Sequence, residues 1–125
     1  MTPLAASLKS MHELSIAKAL IGQVEEEVER SGQTGRITYL DVTVGRLSGV
    51  SCDSLRFAFE LLAPDTLVEG ARLNITEPMA KCRCRQCKSL TEIDELTIEC
   101  PKCNSREISI EGGRDLLLQS IELED

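Results

Sequence analysis

The chain is nearly without aromatic side chains: Tyr39, Phe57 and Phe59 are the whole set, and there is no tryptophan. Its core must therefore be aliphatic. It has a single histidine, His12. It has no excess of positive charge either: 14 Lys and Arg stand against 21 Asp and Glu, for a net charge of −7. That balance argues against general affinity for nucleic acid or an anionic membrane. No run of about 18 apolar residues occurs, so no membrane-spanning helix is expected. The opening stretch Met1–Ser10 is too short and too weakly apolar for a secretory signal. At 125 residues and 42% hydrophobic, there is room for one ordinary core, or a small core plus a metal-stapled module.

What the chain does have is cysteine in a pattern. Cys82-Arg-Cys84-Arg-Gln-Cys87 is followed by Cys100-Pro-Lys-Cys103-Asn-Ser, with residues 88–99 between. Each Cys-x-x-Cys pair forms a tight knuckle pointing two sulfurs at one centre. Two knuckles supply the four thiolates that structural Zn²⁺ takes in a tetrahedron. Pro101 and the polar Asn104-Ser105 suit the turns. Two disulfides or a redox pair are the competing readings, but a redox motif needs one pair at a strand-to-helix junction, not two in a loop-rich segment. Cys82 competes with Cys84 as partner of Cys87. Cys84 has the spacing that matches Cys100/Cys103, so the expected ligands are Cys84, Cys87, Cys100 and Cys103. Cys82 and the distant Cys52 are then spare thiols. Metal-type spacing without a signal segment points to the reducing cytosol.

The rest reads as a small α/β layer. Residues 13–31 make an amphipathic helix, with Ile16, Leu20, Val24 and Val28 at four-residue intervals and Gly32 as the stop. Residues 36–46 alternate as a strand: Leu40, Val42 and Val44 on one face, Tyr39, Asp41 and Thr43 on the other. A second helix spans about 52–62, capped by Ser51, with Asp53 in its positive first turn and Leu55, Ala58, Phe59 and Leu62 as its buried stripe. Residues 71–77 form a strand. Within the cysteine segment, short strands near 91–98 and 107–110 would make a zinc-ribbon hairpin. A final strand at about 115–123 has apolar residues on both faces, which suggests an inner strand. The fold class is α/β: a small sheet of about three strands with two helices, interrupted by an inserted zinc-ribbon module. Residues 1–10 carry no periodic pattern and read as a loose extension.

Met11-His12-Glu13 stands at the head of the first helix. On the residues alone, the plainer reading wins: an exposed polar triplet leading into a helix, with Glu13 favoured there by the dipole. A lone histidine is not a metal site. However, Met-His-Glu-Leu-Ser-Ile (11–16), Val-Gly-Arg-Leu-Ser-Gly-Val (44–50), Leu-Arg-Phe-Ala-Phe-Glu-Leu-Leu (55–62), the paired cysteines and Ser-Ile-Glu-Leu-Glu (120–124) follow in order. Together they resemble the HypA family of hydrogenase nickel-incorporation proteins over about residues 11–124. The resemblance implies a nickel metallochaperone, not an enzyme. It places a nickel-binding α/β domain at 11–79 and 114–125 and a zinc-binding domain at 80–113. It also implies nickel held by the His12 imidazole and nearby backbone nitrogens, with Met11 supplying its nitrogen and Glu13 its amide and a nearby carboxylate. Planar nitrogen donors suit Ni²⁺. The implied partners are a hydrogenase maturation GTPase and the large subunit of a nickel–iron hydrogenase, with urease maturation proteins as further candidates. Ni(II) is then cargo and Zn(II) structural, in the cytoplasm.

Two features depart from that pattern. The extra Cys82 sits in the first knuckle, and ten residues precede Met11, which would turn its amine into a peptide bond. The expectation is that the native chain begins at Met11. Two rival functions are weaker. A zinc-ribbon nucleic-acid module draws support from Lys81, Arg83, Arg85 and Lys88, yet residues 81–114 hold seven Lys/Arg against six Asp/Glu and no stacking aromatic. A zinc enzyme needs an open coordination position and usually His or carboxylate ligands, which four cysteines and one distant histidine do not provide.

Overall fold

The computed structural model describes the backbone of residues 2–124 and the side chains of residues 12–124. Two helices and six strands follow in the order α1 (Thr2–Ser31), β1 (Arg36–Val44), α2 (Cys52–Leu62), β2 (Arg72–Thr76), β3 (Ala80–Cys84), β4 (Leu90–Ile93), β5 (Ile108–Glu111) and β6 (Leu116–Glu124). The strands make two sheets, ordered β2-β1-β6 and β4-β3-β5.

The chain forms two compact units. The first comprises Met1–Val42, Ser51–Ile75 and Leu118–Asp125. Its helix α1 ends where a left-handed glycine permits: Gly32 has φ 69°, and its amide donates to the Val28 carbonyl at 3.1 Å. The backbone of α1 starts at Thr2, well ahead of the amphipathic stretch expected from residue 13. Periodicity marks only the part of a helix that has a face to bury, so it cannot mark where the coil begins. The buried stripe Ile16, Ala17, Leu20, Ile21 and Val24 follows 3.6-residue spacing. It meets Leu55, Ala58 and Phe59 of α2, whose N-cap Ser51 accepts from the Ser54 amide at 3.3 Å.

The sheet order corrects one expectation. β1 is the central strand and β6 lies at an edge of its sheet. The apolar residues on both faces of β6 come from a slip in alternation, not from double coverage. Leu116 and Leu118 are half-buried, then Ile121 and Leu123, with Gln119 and Ser120 both exposed between them. β1 slips in the same way: Ile37 is buried, Thr38 and Tyr39 are both half-buried, and Leu40, Val42 and Val44 resume the buried set. One extra residue moves every later side chain to the other parity. On its polar face, Asp41 accepts from Asn74 Nδ2 at 2.8 Å and Ser120 Oγ at 2.6 Å, so one carboxylate ties all three strands. The Ser120 hydroxyl, then the Asn74 amide, hold its carboxyl below the usual range.

The second unit comprises Thr43–Val50 and Thr76–Leu117. Here β3 is an unforeseen strand, and it is the central one. The expected hairpin partners β4 and β5 each pair antiparallel with β3, not with each other. Ala80, Cys82 and Cys84 face inward while Lys81 and Arg83 face solvent, a period-two pattern that the cysteine motif overlies. Three backbone hydrogen bonds tie the loop 43–50 to the ribbon: Gly45 N donates to Asp115 O at 2.7 Å, Arg46 N to Pro78 O at 3.0 Å and Leu47 N to Gly113 O at 2.6 Å. A Cβ at Gly45 would lie 2.2 Å from the Gly113 carbonyl oxygen. Only glycine lets these chains approach so closely.

Candidate functional site

The two knuckles are built alike. Cys84-Arg-Gln-Cys87-Lys-Ser89 and Cys100-Pro-Lys-Cys103-Asn-Ser105 share the order of cysteines and serine. In each, the first cysteine's amide donates to the serine carbonyl, at 3.0 Å in the first and 2.8 Å in the second. In each, the residue after the second cysteine is left-handed: Lys88 at φ 65° and Asn104 at φ 64°. Asparagine tolerates this conformation well; lysine adopts it at some cost. In each, a following amide donates to the first sulfur: Cys87 N to Cys84 Sγ and Lys102 N to Cys100 Sγ, both at 3.4 Å.

These turns gather Cys84, Cys87, Cys100 and Cys103 so that their sulfurs all lie within 4.8 Å of one another. Cys84 Sγ is 3.6 Å from Cys103 Sγ, and Cys87 Sγ is 3.7 Å from Cys100 Sγ. A tetrahedron of sulfurs about 2.3 Å from a central Zn²⁺ has edges of about 3.8 Å, so the cluster has the size that ion needs. Its acid–base properties agree. The backbone N–H groups of Cys103 and Lys102 pull the Cys100 thiol down to about 6. The Ser89 hydroxyl, 3.0 Å from Cys87 Sγ, lowers the Cys87 thiol. Against the pull of the Ser105 backbone N–H, Cys103 is pushed up to about 12 by desolvation and by the Cys84, Cys87 and Cys100 sulfurs it faces. Four sulfurs this close cannot all ionise without a cation among them.

Cys82 lies outside the cluster. It is buried in a small apolar group with Ala80 and Ile93, against which Leu47, Ile108 and Ile110 pack. Burial first, then the Cys100, Cys84 and Cys87 sulfurs, push its thiol up. Cys52 opens α2 and is half-buried.

The N-terminal triplet is divided by the helix. His12 is exposed on α1, whereas its neighbour Glu13 is fully buried. Adjacent helical positions point about 100° apart, so the two side chains face different surroundings. Glu13 Oε2 accepts from the Ser51 backbone N–H at 2.8 Å, while Oε1 is buried with no partner among the described residues. The side chain of Met11 lies outside the described residues. Sequence reasoning missed the link from Glu13 to Ser51, which joins positions 38 residues apart and has no local signal. It named Ser105 for the turn of the second knuckle but missed the matching Ser89 in the first, although the repeated Cys-x-x-Cys-x-Ser was there to be read.

The fold and the sulfur cluster define a small metal-binding α/β protein with a cysteine ribbon. The chain belongs to the HypA family: the family model described as hydrogenase/urease nickel incorporation, metallochaperone, matches residues 11–123. The hydrogenase maturation factor HypA of Chlorobaculum tepidum is 39% identical over 114 residues, spanning 91% of this chain and 100% of that one. Its counterpart from Methanocaldococcus jannaschii is 33% identical over 124 residues, spanning 92% and 100%. The solution structure of the Ni metallochaperone HypA from Helicobacter pylori superposes with a TM-score of 0.61 at 27% identity, covering 89% of this chain and 96% of that one. Among the described residues, no helix is long and apolar enough to cross a membrane.

Proposed function

We propose that this chain carries Ni(II) to a nickel–iron hydrogenase during its maturation, and that its four-cysteine ribbon holds a structural zinc. The observation that carries the reading is the contrast between two donor sets. Four sulfurs converge within 4.8 Å of one another, enough to fill a tetrahedral ion's coordination, while the one imidazole, His12, is exposed on a helix at the start of the matched family segment. A closed thiolate cage retains its ion. An exposed imidazole flanked by backbone nitrogens binds and then releases, as delivery requires. The zinc ligands are Cys84, Cys87, Cys100 and Cys103. The nickel donors are the His12 imidazole with the backbone nitrogens of Met11, His12 and Glu13. The reading includes no catalytic step.

Copper competes well for nitrogen donors of this kind, so selectivity for nickel must come from the proteins on either side of the transfer. Those are a maturation GTPase and the hydrogenase large subunit in the cytoplasm, with urease maturation proteins as a second set of clients. Within an α-helix each N–H donates to the carbonyl four residues back. Backbone nitrogens at 11–13 must give up those bonds before they take a metal. A chain beginning at Met11 has no preceding turn there and offers a free amine, which deprotonates far more readily than an amide. Nickel should therefore bind the form beginning at Met11 more tightly than the 125-residue form.

Deletion of the gene tests the reading: hydrogenase activity should fall and return with added nickel salt. In the isolated protein, His12→Ala should abolish nickel binding in calorimetry while zinc content stays at one per chain. Full nickel affinity in that variant refutes the N-terminal site.

A further inference from the structure

Glu13 continues the buried stripe of α1 by one turn. It lies three and four positions before the buried Ile16 and Ala17, on the face that meets α2. A carboxylate is an expensive occupant for such a position, because burial strips its hydration. Part of that cost is offset at one oxygen, Oε2, which takes the Ser51 N–H at 2.8 Å. Ser51 is the N-cap of α2, so the acid also meets the positive end of that helix. The other oxygen, Oε1, has no partner among the described residues. A partly satisfied buried acid calls for an explanation, and its geometry suggests one.

We propose that the Glu13 carboxylate is a positioning group for the nickel site and not one of its ligands. It pins the first buried turn of α1 to the head of α2, which sets the rotation of that turn about the helix axis. With Glu13 turned to the core, His12 at the next position is turned to solvent, and it is exposed. The inference rests on the nickel reading of His12 given above. A carboxylate held beneath α1 is on the wrong side to complete a site built around an exposed imidazole. Glu13 contributes its backbone nitrogen, and its side chain fixes where that nitrogen and the imidazole stand.

The test is calorimetric titration of Ni²⁺ into the zinc-loaded chain and its variants, with absorption spectra of the nickel complexes. In Glu13→Gln the amide oxygen still accepts the Ser51 N–H, so affinity should fall by no more than about threefold and the spectrum should be unchanged. Glu13→Ala leaves that N–H buried and unpaired, and affinity should fall roughly tenfold. Ser51→Pro removes the donor itself at a backbone φ of −82°, close to what proline adopts. It should cost about as much as Glu13→Ala, with the same spectrum. Circular dichroism identifies any variant that has not folded. If Glu13→Ala fails to fold, the comparison of Glu13→Gln and Ser51→Pro with the native chain decides. Loss in Glu13→Gln as large as in Glu13→Ala, a changed spectrum in Glu13→Gln, or native affinity in Ser51→Pro overturns the proposal. A His12→Ala variant that keeps native affinity is a different failure: it removes the N-terminal nickel site, and this proposal with it.

Discussion

Unit one buries Leu20, Val24, Leu40 and Leu55 between two helices and a sheet. Unit two buries little beyond Val44, Ala80, Cys82, Ile93 and the sulfurs themselves. Leu96 and Ile98, the large apolar residues of its long loop, are 67% and 71% exposed. The first has enough aliphatic surface to fold by exclusion of water. The second does not, and its four sulfurs must be held together by something other than packing. The lesson is that one chain holds two kinds of stability, which respond to different perturbations.

The sharpest way to break this comparison is to remove a sulfur. Cys84→Ala or Cys100→Ala should lose zinc entirely and unfold the ribbon, since metal binding in such modules contributes roughly 10 kcal/mol or more. Elemental analysis and proton NMR of the two variants check it, with the unit-one resonances expected to persist. A ribbon that stays folded without zinc would mean that its small apolar cluster suffices.

Acid should do the same reversibly. Zinc needs all four cysteines as thiolates. The metal-free Cys100 thiol is depressed to about 6, against an ordinary value near 8.5. A depressed acid favours the folded site above its unfolded value, and that contribution is lost as pH falls through the folded one. Zinc content after dialysis should therefore hold at neutral pH and decline in acid, as protons compete with the metal for its sulfurs. Zinc retained in full in strong acid would contradict this.

A truncation in the aliphatic unit should have a smaller and differently placed effect. Leu55→Ala empties a fully buried site and should cost about 3 kcal/mol by chemical denaturation, with zinc content unchanged. The smallest effect is expected at the spare thiol. Cys82→Ala removes one buried sulfur from the ribbon's apolar group and should cost about 1 kcal/mol, while keeping one zinc per chain. Loss of zinc in this variant alone would overturn the ligand set.

Much of this molecule was legible because it is local. The Cys-x-x-Cys spacing, the Ser51 cap and the Gly32 stop each act within a few residues, and each stands where sequence reading placed it. The helix α2 runs over Cys52–Leu62, the span expected from its stripe and its cap. Elements were misread where sequence pattern and position part company. β3 was hidden because Cys84, which serves the knuckle, also serves the strand's inward face beside Cys82. β6 seemed an inner strand because a slip at Gln119–Ser120 scatters its apolar residues over both parities.

By itself, then, the sequence determined the chemistry on offer: four thiolates in two knuckles, one imidazole, an aliphatic core and the helix boundaries that short-range caps enforce. Tertiary structure alone decided which strand is central and that loop 43–50 binds the ribbon through Gly45 and Gly113. It also decided that Glu13 turns inward to Ser51 while His12 turns out. These are contacts between residues far apart in the chain. They depend on how whole elements pack, and no local preference of the residues concerned encodes them.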